Sequence, residues 1–126
     1  MAKKRILLVD DEKSLTTLLK LNLEETGHYE VRAENWPEDA IAAARNFKPD
    51  LILLDIIMPR MPGGNIAALI DEDPELKGTP IVFLTAAVRR TQVEDNDGII
   101  CDHPCLAKPA SIEEVIVMIE KHARKS

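Results

Sequence analysis

The chain has 126 residues, 45% of them apolar and 30% charged, and 22 Asp and Glu against 16 Lys and Arg leave a formal net charge of −6. That length suits one domain with a real core, and that balance is too apolar for a disordered chain. The acidity, with no basic stripe to offset it, argues against direct nucleic-acid binding, and no apolar run comes near the ~18 residues that a membrane helix needs.

Elements follow in chain order. After a basic start (Lys3-Lys4-Arg5) the run Ile6-Leu7-Leu8-Val9 is apolar throughout and stops at Asp10-Asp11, as a strand buried on both faces would. That run is too short for a signal peptide. Leu15, Leu18, Leu19 and Leu23 form a helical stripe between Lys13 and Glu25, with Gly27 as its stop. Tyr29 to Ala33 alternates weakly and predicts a second strand. Pro37 stands where a first helical position is wanted, ahead of Ala40, Ile41, Ala44 and Phe47.

Pro49-Asp50 breaks that helix, and Leu51-Ile52-Leu53-Leu54 is a second fully apolar strand, closed by Asp55. A turn with Pro59, Pro62, Gly63 and Gly64 leads to a short helix around Ile66, Leu69 and Ile70. Ile81-Val82-Phe83-Leu84 is a further apolar strand, closed by Thr85. The segment Val88 to Gly98 has almost no apolar stripe and holds the turn signal Asp95-Asn96-Asp97-Gly98, so a short or irregular fourth helix is expected there. The last helix begins at Ser111 as its N-cap, with Glu113 and Glu114 in the first turn and Ile112, Val115, Ile116 and Ile119 as its stripe. Strand and helix in alternation predict an α/β fold, a parallel sheet with helices on both faces.

In such a sheet ligands bind beyond the carboxyl ends of the strands. The residues there are Asp10, Asp11, Asp55, Thr85 and, just after Cys105-Leu106-Ala107, Lys108. Neighbouring strands are about 4.8 Å apart, so adjacent first and third strands would crowd three carboxylates together. Like charges at that range raise a pKa or bring in a cation, and a hard divalent ion such as Mg²⁺ suits oxygen ligands. A metal in turn makes sense of Asp55 as a nucleophile toward a phosphoryl group, since it relieves the repulsion between two anions. Lys108 would add positive charge for the phosphoryl oxygens and Thr85 a hydroxyl donor.

These residues resemble those of the response-regulator receiver domain of two-component signalling. The resemblance rests on Asp10-Asp11, on Asp55-Ile56-Ile57-Met58-Pro59 with Gly63 behind it, on Thr85-Ala86, and on Lys108-Pro109. It implies a flavodoxin-like, doubly wound, five-stranded parallel sheet in the order 2-1-3-4-5. It implies Asp55 as phosphoacceptor from a histidine kinase or phosphotransfer protein, with Mg²⁺ as cofactor. Asp10, Asp11, Asp55 and the backbone carbonyl of Ile57 would hold the metal. Lys108 would contact the phosphoryl group, Thr85 would act as the switch hydroxyl, and the Lys108–Pro109 bond would be cis. The expectation is a single cytoplasmic receiver over 1–126 with no output domain, no membrane and no direct nucleic-acid contact, acting on a downstream protein whose identity the sequence leaves open. It would be no enzyme beyond catalysing its own aspartyl phosphorylation and dephosphorylation. The alternative is a pseudo-receiver, an interaction domain that works without phosphorylation.

Two positions depart from the family pattern. Cys105 stands three residues before Lys108, where an aromatic or a histidine is usual, and Ala110 replaces a bulky apolar residue. Cys105 and the weak fourth helix share a face, so phosphoryl acceptance is expected intact with output through an altered or disordered segment between Val88 and Pro104. Cys101-Asp102-His103-Pro104-Cys105 offers three zinc ligands at most, and the cysteines read as structural or incidental. His28 and His122 read as surface residues without partners. Two enzymatic alternatives fail on particular residues: aspartate-nucleophile phosphatases want a second aspartate where Ile57 stands, and a flavin site wants a glycine- and hydroxyl-rich loop where Asp10-Asp11-Glu12 stands.

Overall fold

The computed structural model describes residues 3–56, 58, 61, 63–86, 99–100 and 103–124, with the side chains at 85, 99 and 100 excepted. The expected fourth helix, Ile57 and Cys101 lie outside these residues. The described strands are β1 (Lys4–Val9), β2 (Tyr29–Glu34), β3 (Leu51–Leu54), β4 (Ile81–Thr85), β5 (Ile99–Ile100) and β6 (His103–Ala107). The described helices are α1 (Lys13–Glu25), α2 (Ala40–Phe47), α3 (Gly63–Glu72) and α4 (Ile112–His122). Pro37 opens a 3₁₀ turn, Pro37–Asp39, which runs directly into α2.

The sheet order is β2-β1-β3-β4-β6-β5. Its first five members pair in parallel, in the expected 2-1-3-4-5 order. The two-residue β5 is an addition: Ile99 and Ile100 pair antiparallel with Pro104 and His103 at the open edge. β1 also begins earlier than its apolar run, because Lys4 and Arg5 pair with Tyr29 and Glu30 of the edge strand, where charged side chains reach water.

Alternation along the strands divides the core in two. Leu7, Val9, Ile52, Leu54, Ile81, Phe83 and Cys105 face α2 and α3. Ile6, Leu8, Leu51, Leu53, Val82 and Leu84 face α1 and α4. Strands covered on both sides must be apolar at every position, which is why β1, β3 and β4 read as unbroken runs. On α1 the buried stripe is Thr16, Leu19 and Leu23, while Leu18 is 56% exposed. At 3.6 residues per turn Leu18 lies about 130° from the centre of that stripe. Leu69 is likewise exposed, and α3 packs through Ile66, Ala67 and Ile70.

The helix ends follow local chemistry. Gly27, at φ 80°, ends α1 in a conformation that costs a Cβ-bearing residue more. Ser111 and Glu114 form a full capping box on α4, each side chain accepting the other's backbone N–H at 3.1 Å. Far from the carboxyl ends of the strands, Glu120 of α4 accepts from the Tyr29 hydroxyl at 2.6 Å and from Lys4 Nζ at 3.1 Å. His28 is exposed with its ring edge-on to Tyr29, 6.4 Å between centroids, and so has a partner the sequence did not suggest. His122 is half-buried, and desolvation holds its pKa below the ordinary value.

Candidate functional site

Register builds the site. Val9 aligns with Leu54, so Asp10 and Asp55 leave adjacent strands side by side, and the Asp55 amide donates to the Val9 carbonyl at 2.9 Å. Thr85 aligns with Ala107, which sets the backbone of Thr85 beside the residue before Lys108. The Lys108–Pro109 peptide is cis, as the resemblance implies. Asp10 and Asp55 are buried, Asp11 is exposed, and one carboxylate oxygen from each lies within 4.8 Å of the others.

Lys108 reaches into this cluster. Its Nζ donates to Asp10 Oδ2 at 2.6 Å and stands 3.5 Å from Asp55 Oδ2. Burial opposes the charge on Lys108, but the hydrogen bond to Asp10 and the charges of Asp10 and Asp55 outweigh it and raise the pKa. Lys108 is therefore an ammonium at neutral pH. The second Asp10 oxygen accepts the Glu12 backbone N–H at 2.9 Å, which holds the carboxylate at two points.

Three carboxylates against one ammonium leave the cluster negative. Its donor set consists only of hard oxygens, and each carboxylate oxygen carries two lone pairs, so those bound to Lys108 and Glu12 can still accept. With one oxygen from each carboxylate within 4.8 Å of the others, all three are near enough to turn toward a single ion. Asp10, Asp11 and Asp55 thus fit a divalent cation, and Ile57, the fourth ligand implied by resemblance, lies outside the described residues. Of Thr85 the backbone alone is described.

Two contributors add to the sequence reading. Asn35, just past β2, donates from Nδ2 to the Asp10 carbonyl at 2.8 Å and to Thr16 Oγ1 at 2.9 Å. A lone Asn after a strand looks like any turn residue, so its role was not readable. Gly63 stands against Asp55 itself. A Cβ built there would lie 1.9 Å from the Asp55 carbonyl oxygen, and the Gly63 amide donates to the Ile56 carbonyl at 2.8 Å. Beside Lys108 a groove of about 390 Å³ runs along Leu15, Leu19, Leu84 and Ala110. A separate cleft of about 510 Å³, lined by Arg45, Asp50, Thr79 and Arg124, lies at the opposite edge of the sheet and takes no part in this chemistry.

Comparison with known proteins agrees with this geometry. The family model of the response regulator receiver domain matches residues 6–120. The chain belongs to that family. Protein PilH of Pseudomonas aeruginosa is 37% identical over 87 residues, which cover 69% of this chain and 71% of PilH. The polar-differentiation response regulator DivK of Brucella anthropi is 29% identical over 119 residues, covering 94% of this chain and 95% of DivK. Chemotaxis protein CheY4 of Vibrio cholerae superposes with a TM-score of 0.81 at 26% identity, over 95% of this receiver and 98% of CheY4.

The receiver also matches longer transcriptional regulators, of which it spans half or less: 33% of PhoP of Bacillus subtilis and 50% of RpaA of Synechocystis. Receiver domains are signalling modules. Among the described residues no helix of this one is long and apolar enough to cross a membrane.

Proposed function

We propose that this receiver accepts a phosphoryl group on Asp55 from the phosphohistidine of a histidine kinase or phosphotransfer protein, with Mg²⁺ held by Asp10, Asp11 and Asp55. One observation carries the reading: a buried Asp55 shares a small volume with two further carboxylates and with the ammonium of Lys108. Mg²⁺ supplies the charge neutralisation that lets one anion approach another.

An Asp55 carboxylate oxygen forms the new O–P bond as the N–P bond to the donor imidazole breaks. With its other nitrogen protonated, the imidazole departs neutral. A carboxylate nucleophile has no proton to give up, so the step calls for no base. Lys108, held by Asp10 until then, turns its remaining protons to the phosphoryl oxygens. The resemblance assigns the switch hydroxyl to Thr85, whose backbone ends β4 level with Ala107. The apolar groove along Leu15, Leu19 and Ala110 is continuous with Lys108 and receives the donor's own apolar side chains. The added charge then biases a two-state surface that a downstream protein reads.

The test is incubation with a small phosphodonor and Mg²⁺, followed by intact-mass measurement. The wild type gains one phosphoryl group and Asp55→Asn gains none. An unmodified wild type overturns the proposal and favours an interaction domain that works without phosphorylation.

A further inference from the structure

We propose that Asn35 is a positioning residue for the metal ligand Asp11, because one side-chain amide clamps both ends of the loop on which Asp11 stands. The inference rests on the metal-binding reading above and goes beyond it in assigning a residue that makes no contact with the ion.

The geometry is specific. The atom of Asn35 facing the Asp10 carbonyl at 2.8 Å must be nitrogen, since a carbonyl oxygen can only accept. The same nitrogen stands 2.9 Å from Thr16 Oγ1. The Thr16 hydroxyl gives its own proton to the Lys13 carbonyl at 3.0 Å and keeps a lone pair for the amide. Asn35 is thus tied directly to Asp10, the residue before Asp11, and through Thr16 to Lys13, in the first turn of α1 after it. Thr16 is 1% exposed, so water is poorly placed to replace these bonds.

Asp10 and Asp11 differ in what holds them. The Asp10 carboxylate is fixed by Lys108 and by the Glu12 amide. Asp11 is exposed and makes no side-chain hydrogen bond among the described residues. Its carboxylate is aimed by the backbone of its loop, and that backbone is pinned by Asn35. Removing the amide leaves the sheet and both cores in place but frees the direction of Asp11. The loss therefore falls on affinity for the ion. Outer-shell partners of metal ligands commonly contribute about 10–100-fold in affinity.

The test is calorimetric titration of Mg²⁺ into the wild type, Asn35→Leu, Thr16→Val and Thr16→Ser, each checked for folding by circular dichroism and a thermal melt. Asn35→Leu keeps the volume and removes the donors, and its Mg²⁺ dissociation constant rises about 10–100-fold. Thr16→Val weakens binding less, and Thr16→Ser, which keeps the hydroxyl, restores it to within about twofold. A merely structural role lowers the melting temperature of Asn35→Leu and leaves the affinity of its folded form unchanged. That result overturns the inference. Should Asn35→Leu fail to fold, the contrast between Thr16→Val and Thr16→Ser decides: weaker binding in the valine variant alone supports the clamp, and equal binding in both overturns it. A wild type that does not bind Mg²⁺ overturns the metal reading and this inference with it, whereas a binding wild type with an unaffected Asn35→Leu overturns this inference alone.

Discussion

Gly63→Ala places a methyl group inside the backbone that carries the phosphoacceptor. The new Cβ would stand 1.9 Å from the Asp55 carbonyl oxygen, 2.8 Å from its carbon and 2.9 Å from Ile56 Cα, where real Cβ atoms essentially never come within 3.0 Å of a neighbour. The atoms in the way are backbone, so no side chain can swing aside. Either α3 backs away or the Asp55 carbonyl moves, by at least the difference, about 1.1 Å. The first choice stretches the bond from the Gly63 amide to the Ile56 carbonyl. Forcing a methyl group into packed structure costs about 1–3 kcal/mol and losing that hydrogen bond about 1 kcal/mol, so denaturant unfolding should show a loss of roughly 2–4 kcal/mol. A displacement of about 1 Å at a reacting group can also cost 10²-fold in rate, so phosphorylation by a small donor should slow about that much. Gly64 is the control. It has nothing within 4 Å, and alanine there should stabilise α3 by about 0.4–1 kcal/mol. Equal unfolding midpoints for Gly63→Ala and Gly64→Ala would refute the steric argument.

Three further outcomes follow from the same structure. Asp73 accepts from Arg45 Nε at 3.0 Å and from the Glu75 amide at 2.8 Å, and the Arg45 hydrogen bond holds its pKa below the usual 3.8. A depressed carboxylate contributes stability above its unfolded pKa and loses it as the pH falls through the folded one, so Arg45→Met should flatten the drop in melting temperature below about pH 4; an unchanged acid limb would count against the pair. Ser111→Ala removes half of the capping box on α4 and should cost about 1 kcal/mol in denaturant unfolding, with a neutral result contradicting the cap's importance. Burial raises the Cys105 thiol above its ordinary pKa and leaves it 2% exposed, so alkylation followed by peptide mapping should modify Cys105 only as the protein unfolds in urea, and rapid labelling of the native protein would contradict that placement.

Much of the fold was readable because burial on both faces writes itself as unbroken apolar runs. Ile6–Val9, Leu51–Leu54 and Ile81–Leu84 could hardly be anything but interior strands, and the acids and threonine that end them mark the functional edge. The order of the strands was not in the periodicity at all; it came with the resemblance. The last parallel strand was harder to read from its residues, since His103-Pro104 at an edge breaks the apolar pattern, and nothing announced that Ile99-Ile100 would pair back upon it. Leu18 and Leu69 show the limit of counting leucines, because helix phase decides burial and each stands off its stripe. At the site, the charged residues were visible by type and spacing. Asn35 and the close approach of Gly63 to Asp55 depend on which backbone atoms meet across elements, and composition carries no trace of that. Cys105 packs with Phe83 and Leu54 in the core, a small apolar filler where the family pattern leads one to look for a ring.

The esterified residue itself gives the most direct measurement. After incubation with a small phosphodonor and Mg²⁺, borohydride converts an aspartyl phosphate to homoserine, and fragmentation of the peptide across residues 51–58 locates it. The account predicts homoserine at position 55, dependent on Mg²⁺ and lost in Asp11→Ala. Homoserine at another aspartate, or an intact Asp55 in protein that has taken up phosphate, would contradict it.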